Sequence, residues 1–450
     1  MLKLNTKIVA LLCGALVASA AAVRAQDSGP LVDLLVKKGI VSDQEAEDLR
    51  AELGKDFAAS SAGKINLSAP LTELRIAGDV RVRYESRTGV LQTTDDNQER
   101  DRFRYRLRAG LYGKLLNDWS FGFRLETSTG SRSSNVTMGD DNGPWAKTSD
   151  TLNVGQIYIG YTPNSHWNFT LGRMPNPLVT SLLVWDGDIN PEGVAEQYRT
   201  RIGKAEYFGT ATQFLYASGN PQNVFNGAAG SNVKDLYLFA YQGGVKYYTG
   251  EGTTDFFQIA PVFYQYYHTS QTANPSGFKG VFSPTNATAI NNLSVFEIPV
   301  EYDWAAGGVP MRAWAEWAIN ADARQRARKF FNTTNLAGKK IEDQAYTIGF
   351  QYGKAVNPGE WDARVAYQSV GAFALDANLV DSDLFDSRVN MKGWYIGGNY
   401  ALGAATQFSL TLANGQRVDD SIVAPGAGDI GSNNLLDNYW LLQADLNIKF

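Results

Sequence analysis

Cysteine is almost absent from this chain of 450 residues, the one example being Cys13. Histidine is nearly as scarce, with only His166 and His268. Cys13 lies in the N-terminal apolar run, so the rest of the chain has no thiol for a disulfide, a thiolate metal site or a nucleophile. Two histidines far apart in sequence make no triad and no metal cluster, so no cofactor, no metal and no enzyme activity are expected. Long apolar runs are missing too, apart from "MLKLNTKIVALLCGALVASAAAVRAQ" at the start. There Lys3 and Lys7 precede an apolar core from Ile8 to Ala22 and small residues up to Ala25, which reads as a signal peptide over 1–25. The core is short for a membrane anchor. An excess of basic charge is lacking as well. Without Lys3, Lys7 and Arg24 the chain holds 38 basic against 46 acidic side chains, which argues against a nucleic-acid partner.

What the chain does have is alternation. In "DRFRYRLRAGLYGKL", Asp101 to Leu115, a helical period scatters the arginines. A period of two puts Phe103, Tyr105, Leu107, Ala109 and Leu111 on one face and Arg102, Arg104, Arg106, Arg108, Tyr112 and Lys114 on the other. A soluble sheet, a nucleic-acid platform or a membrane barrel with a wet lumen could each use such a strand. Similar segments recur from Glu73 onward, among them "LRIAGDVRVRYE", "VFEIPVEYDW" and "YWLLQADLNIKF", to a total of fifteen. Short turns such as "TPNSH" and "VNPGE" alternate with long connections such as 128–150, 269–294, 321–343 and 371–389, as in barrels with short periplasmic turns and long external loops. The alternation fails once, between Arg173 and Glu206, and Val194–Ile202 is the best candidate for the missing strand. The total becomes sixteen. Aromatics such as Trp119, Tyr161, Trp167, Trp361, Trp394 and Tyr400 stand at strand ends, as interfacial girdles require.

The fold class expected is therefore all-β: a 16-stranded antiparallel transmembrane β-barrel over 71–450, preceded by a periplasmic helical segment and linker over 26–70. Ser42 and Glu45 form a capping box in that segment. The last strand alternates Trp440, Leu442, Ala444, Leu446, Ile448 and Phe450 with polar residues. A terminal Phe450 in phase with five apolar positions resembles the assembly signal of bacterial outer-membrane barrels, read by their barrel-assembly machinery. With "LGRMPNPLV" (171–179) and "LLVWDGDINPEGVAEQY" (182–198), the chain resembles a bacterial outer-membrane "putative porin" family related to the phosphate-selective (O/P-type) porins. That resemblance covers the leader, the helical segment and the barrel. It implies a homotrimer in outer-membrane lipid, each pore narrowed by an inward loop.

The residues agree with such a loop near 174–193, where three prolines and the acids Asp186, Asp188 and Glu192 break the alternation; an external loop is the alternative. Lumen-facing phases collect Arg75, Arg81, Arg83, Arg102, Arg104, Arg106, Arg108, Lys114 and Arg124 on the first three strands. Glu297, Glu301, Asp303 and Glu316 fall half a barrel away. A basic wall facing acids gives a transverse field that orients polar solutes, with anion preference the reading if the arginines stay free. They could instead pair with Asp79, Glu85 or Glu126 on adjacent strands. The expected function is passive diffusion of small hydrophilic solutes or ions through a water-filled channel. A structural role, tethering the envelope through the N-terminal helices, is the alternative from another class.

Overall fold

The structure, a computed structural model, describes residues 36–38, 42, 44–47, 68–91, 97–128, 133–140, 151–217, 235–267, 293–331, 333–422, 430 and 436–450. The expected signal peptide and most of the helical segment lie outside the described residues. So do His268 and much of several long loops. The chain divides into two compact units, 1–69 and 70–450. Within the first, Glu45 N donates to Ser42 Oγ at 3.3 Å while Ser42 N donates to Glu45 Oε2 at 2.9 Å, the reciprocal bonds of a capping box.

The second unit is one antiparallel sheet. Its strands are β1 (Leu71–Leu91), β2 (Asn97–Leu115), β3 (Trp119–Ser128), β4 (Val136–Thr137), β5 (Thr151–Tyr161), β6 (Trp167–Arg173), β7 (Glu192–Ile202), β8 (Ala205–Ala217) and β9 (Leu236–Tyr248). They continue as β10 (Phe256–Ile259), β11 (Val262–Tyr267), β12 (Ser294–Ala306), β13 (Val309–Asn320), β14 (Gln344–Gly353), β15 (Trp361–Val370), β16 (Met391–Ala401), β17 (Thr406–Arg417) and β18 (Leu436–Lys449). The short β4 only supplements β2, and β10 and β11 both lie between β9 and β12. These two strands form one stave, split at Ala260 and Pro261, because proline offers no ladder N–H. Eighteen segments thus make a closed barrel of sixteen staves. The seam is β1 against β18 over Asp79–Leu91, continued by two backbone bonds between Gly78 and Phe450. The stave inferred from loop parity is β7, entered two residues earlier than expected.

Alternation decides inside from outside. On β2, Arg102, Arg104 and Arg106 are buried while Phe103, Leu107 and Leu111 are exposed on the outer surface. On β18, Gln443, Asp445 and Asn447 are buried and Trp440, Leu446, Ile448 and Phe450 exposed. This inverts a water-soluble sheet and suits a wall with lipid outside and polar matter within. No helix among the described residues is long and apolar enough to cross a membrane, which leaves the strands to do so.

Two connections differ from the expected external loops. Residues 321–343 contain a helix, Ala323–Phe330, whose Ala323 and Ala327 are buried in one cluster with Phe373 and Ile422. The connection 371–390 is buried almost throughout and lies against the inner wall, with Leu375, Leu379, Val380 and Val389 in one apolar cluster with Leu183, Trp185, Phe214, Leu238, Ala318 and Ala345. Its apolar residues carry no strand period, and burying them inside removes them from water.

Candidate permeation site

The arginine row is mostly a fastening. Glu85, with no exposed surface, accepts from Arg102 Nε at 2.8 Å, Arg87 Nε at 2.9 Å and Gln443 Nε2 at 2.9 Å, and lies 3.6 Å from both Arg83 and Arg104. Arg83 makes a fork of 2.7 and 2.9 Å to Asp445 and reaches Asp383 at 2.9 Å. Arg104 also donates to Asn135 O at 3.0 Å. Further down the strand, Asp79 takes Arg106 at 2.7 Å and Arg108 at 2.6 Å, and both guanidiniums stand 3.6 Å from Asp188. Arg124 pairs with Glu126 at 2.7 Å. The pairing with Asp79, Glu85 and Glu126 is thus present, and the charge-assisted forks hold loops as well as strands.

Other basic residues keep water. Arg81 donates to Asn447 Oδ1 at 2.8 Å and has 17% of its side chain exposed. Arg75 is exposed and lies over the Tyr112 ring at 5.2 Å. Lys114 pairs with Glu73 near the β1–β2 turn, where both are exposed.

The sequence places the acids in one group; the structure separates them. Glu297 and Glu316 are buried, with Thr180 Oγ1 of the β6–β7 connection donating to Glu297 Oε1 at 2.7 Å. The side chains therefore meet the loop, and the solvent-facing acidic wall expected from their phase is not formed by these two. Glu301 and Asp303 share Arg312 instead. Glu192 opens β7 instead of lying within the loop, and its carboxylate takes Arg173 Nε at 2.6 Å. Register sets Arg173 opposite Ile157, whose side chain is exposed on the outer face, so Glu192 lies outward and not toward the lumen. Asp186 is buried; its backbone N donates to Leu379 O at 2.6 Å and its Oδ2 accepts from Ser382 N at 3.0 Å.

Residues 174–191 thus bridge the wall at β12, the arginines of β2 and the second connection, 371–390. That second connection, which sequence reasoning left outside, adds Asp381, Asp383, Asp386 and Arg388. Burial lifts the Asp186 carboxyl to about 6, with the Asp188 charge adding to it, and Asp381 is pushed well up by burial and then by Asp186. Burial acts upward on Asp383 too, but Arg83 and Arg87 outweigh it and hold it down at about 2. The signal for this loop was in the sequence: four aspartates and an arginine among apolar residues with no period, in a place where an external loop should be polar.

Two interior cavities flank the loops. One, of about 610 Å³, is lined by Arg124, Leu182, Asp186, Arg312, Arg364 and Tyr395. The other, of about 440 Å³, is lined by Arg81, Arg108, Asp186, Arg364, Tyr395 and Lys449. Arg364 donates to Tyr395 Oη at 2.7 Å. Among the described residues no carboxylate pairs with Arg75, Arg364 or Lys449.

A closed barrel of sixteen staves, apolar outside and ionic within, with loops drawn across its interior, defines a channel-type protein. A family described as "Putative porin" matches residues 78–296 and 277–450, and the chain belongs to that family. Its function is that of a porin channel. No curated protein matches the chain. Among solved structures, it is similar to an anion-selective porin from Comamonas acidovorans (12% identity, 84% of this chain and 99% of that one, TM-score 0.46). It is also similar to a mutant of Rh. blastica porin (8% identity, 84% of this chain and 100% of that one, TM-score 0.41).

Proposed function

We propose that this porin resides in the bacterial outer membrane as a homotrimer and passes small hydrophilic solutes with a preference for anions. The observation that carries the anion preference is the imbalance of free charge beside the two cavities. Arg364 and Lys449, which line them, have no carboxylate partner among the described residues, whereas Glu297 is sealed under the loop by Thr180. Arg81, with 17% of its side chain exposed, adds a partly exposed guanidinium beside the second cavity. A low-dielectric wall focuses that field onto passing ions.

In this reading 174–191 is the constriction, and Arg83, Arg102, Arg104 and Arg106 shape it by holding loops in place while contributing little free charge. The exposed apolar belt and the aromatic strand ends support a lipid surround, the N-terminal leader supports export, and the homotrimer follows from the family resemblance. Phe450 is the proposed assembly signal. Reversal potentials of single channels across a salt gradient test the preference. A chloride-selective sign is expected, with Arg364→Glu moving it toward cations; cation selectivity of the unmodified channel would refute the reading.

A further inference from the structure

Two acids of the inner wall stand apart from the arginine joint. Glu85 and Asp79 each hold guanidiniums, whereas among the described residues neither Glu297 nor Glu316 has a basic side chain in contact. Both are buried, with 0% and 4% exposed, and they are neighbours. Glu316 stands opposite Pro299, two residues along β12 from Glu297, so the two carboxyls are diagonal on the inner face. Tyr264 joins them from the next stave. Val262 lies opposite Glu297, and Tyr264, two residues on, adjoins the same carboxyl from the other side.

The polar atoms here are short of partners. Glu297 Oε2, Glu316 Oε1 and Tyr264 Oη are all buried with no hydrogen-bond partner among the described residues. Buried polar groups are nearly always bonded, so three such atoms on three adjacent staves call for a shared cause. The tyrosine is only 1% exposed and carries no charge, so its unpartnered oxygen is an observation separate from the acid pair. Hydroxyls complete the surroundings. Thr180 Oγ1 donates to the other oxygen of Glu297 at 2.7 Å, Ser181 adjoins Glu316, and Thr347 stands opposite Glu316 with its own proton given to Tyr367 O at 3.1 Å. Thr180, Ser181, Glu316 and Thr347 all line the cavity of about 610 Å³, which gives an ion a way in from the lumen.

We infer that Glu297, Glu316 and Tyr264, with Thr180 and Ser181 of the 174–191 connection, form a site for one divalent cation of the calcium class. Two buried carboxylates without a guanidinium need positive charge from elsewhere. One shared proton would link the carboxyls but leave a negative charge buried and Tyr264 Oη still without a partner. A divalent cation offsets both charges and takes that oxygen as a neutral ligand. Calcium suits the set because it accepts oxygen ligands only, in flexible geometry, with water filling the remaining positions. The scarcity of cysteine and histidine excludes softer metals and leaves an all-oxygen site open. Bound there, the ion ties the connection to the wall of β11–β13, and the site stands independently of the anion preference proposed above.

Calcium alone is the probe. Equilibrium dialysis of the full-length protein in detergent should give it about one bound calcium per chain more than Glu316→Gln, which keeps the side-chain volume and removes the charge. Calcium should also raise the temperature at which the unmodified barrel loses its heat-modifiable mobility, and leave that of Glu316→Gln unchanged. Tyr264→Phe keeps the ring and should weaken calcium binding several-fold; it decides the matter if Glu316→Gln does not fold. Equal calcium in the unmodified protein and Glu316→Gln, or an unchanged calcium affinity in Tyr264→Phe, overturns the site, and a proton shared between the two carboxyls then accounts for the pair.

Discussion

Glu85 shows what a single side chain does in this lumen. It has no exposed surface, and Arg83, Arg87, Arg102 and Arg104 all converge on it. Four guanidiniums this close repel one another, and one carboxylate hydrogen-bonded to several of them offsets that repulsion. Glu85→Ala should therefore cost about 3–5 kcal/mol, because it strands buried charge and does not merely delete a bond. Urea unfolding in detergent, followed by the loss of heat-modifiable mobility, measures the cost. The loop acids make a second prediction with opposite signs in one joint. Asp186, lifted to about 6, favours the protonated joint: its contribution is full below the ordinary aspartate value near 4, falls as pH rises through 6, and is absent above. Asp383, held at about 2, contributes fully above that ordinary value and is lost as pH falls through 2. Open-channel current noise should thus rise between about pH 4 and 7 as the joint loosens, and Asp186→Asn should remove that rise. Noise that is flat across this window in the unmodified channel would contradict the assignment.

Elements explain how the loops come to lie inside. One residue inside the end of β6 and the start of β7 stands an opposed glycine pair, Gly172 with φ 126° and Gly193 with φ 149°, where a β-carbon would stand 2.3 Å from Ile157 O and 2.1 Å from Gln213 O. Only glycine lets the backbone leave the sheet there and turn into the barrel. Gly193→Val should lower the yield of folded barrel and destabilise what folds by about 1–3 kcal/mol, read by the same unfolding assay. Opposite the arginines, the inner wall carries small side chains, Ala240, Ala318 and Ala345, all with no exposed surface, which leave room for both connections. These elements were unequally legible in sequence. Strands with a strict period of two, such as β2 and β18, were read correctly because alternation alone decides their faces. The 371–390 connection was not, because its buried apolar residues follow no period and its partner on β1, Arg87, is 295 residues away in sequence.

For the whole molecule, closure is the deciding event. Phe450 N and O bond Gly78 at the seam, and the Phe450 ring covers the space a Gly78 side chain would need. Removing Phe450 should slow appearance of the folded species in a pulse-chase of heat-modifiable mobility, because its backbone extends the β1–β18 seam to Gly78. The sequence by itself determined the class of wall. Period-two alternation, the parity of short and long connections and the lack of any other apolar run leave a closed barrel with charge inside. These are local quantities, set by nearest neighbours along the strand. Only the tertiary structure decided which charges remain for a solute. Arg102, Arg104 and Arg106 look like Arg75 in phase and spacing, and what separates them is the carboxylates that neighbouring strands and folded-in loops bring close to them.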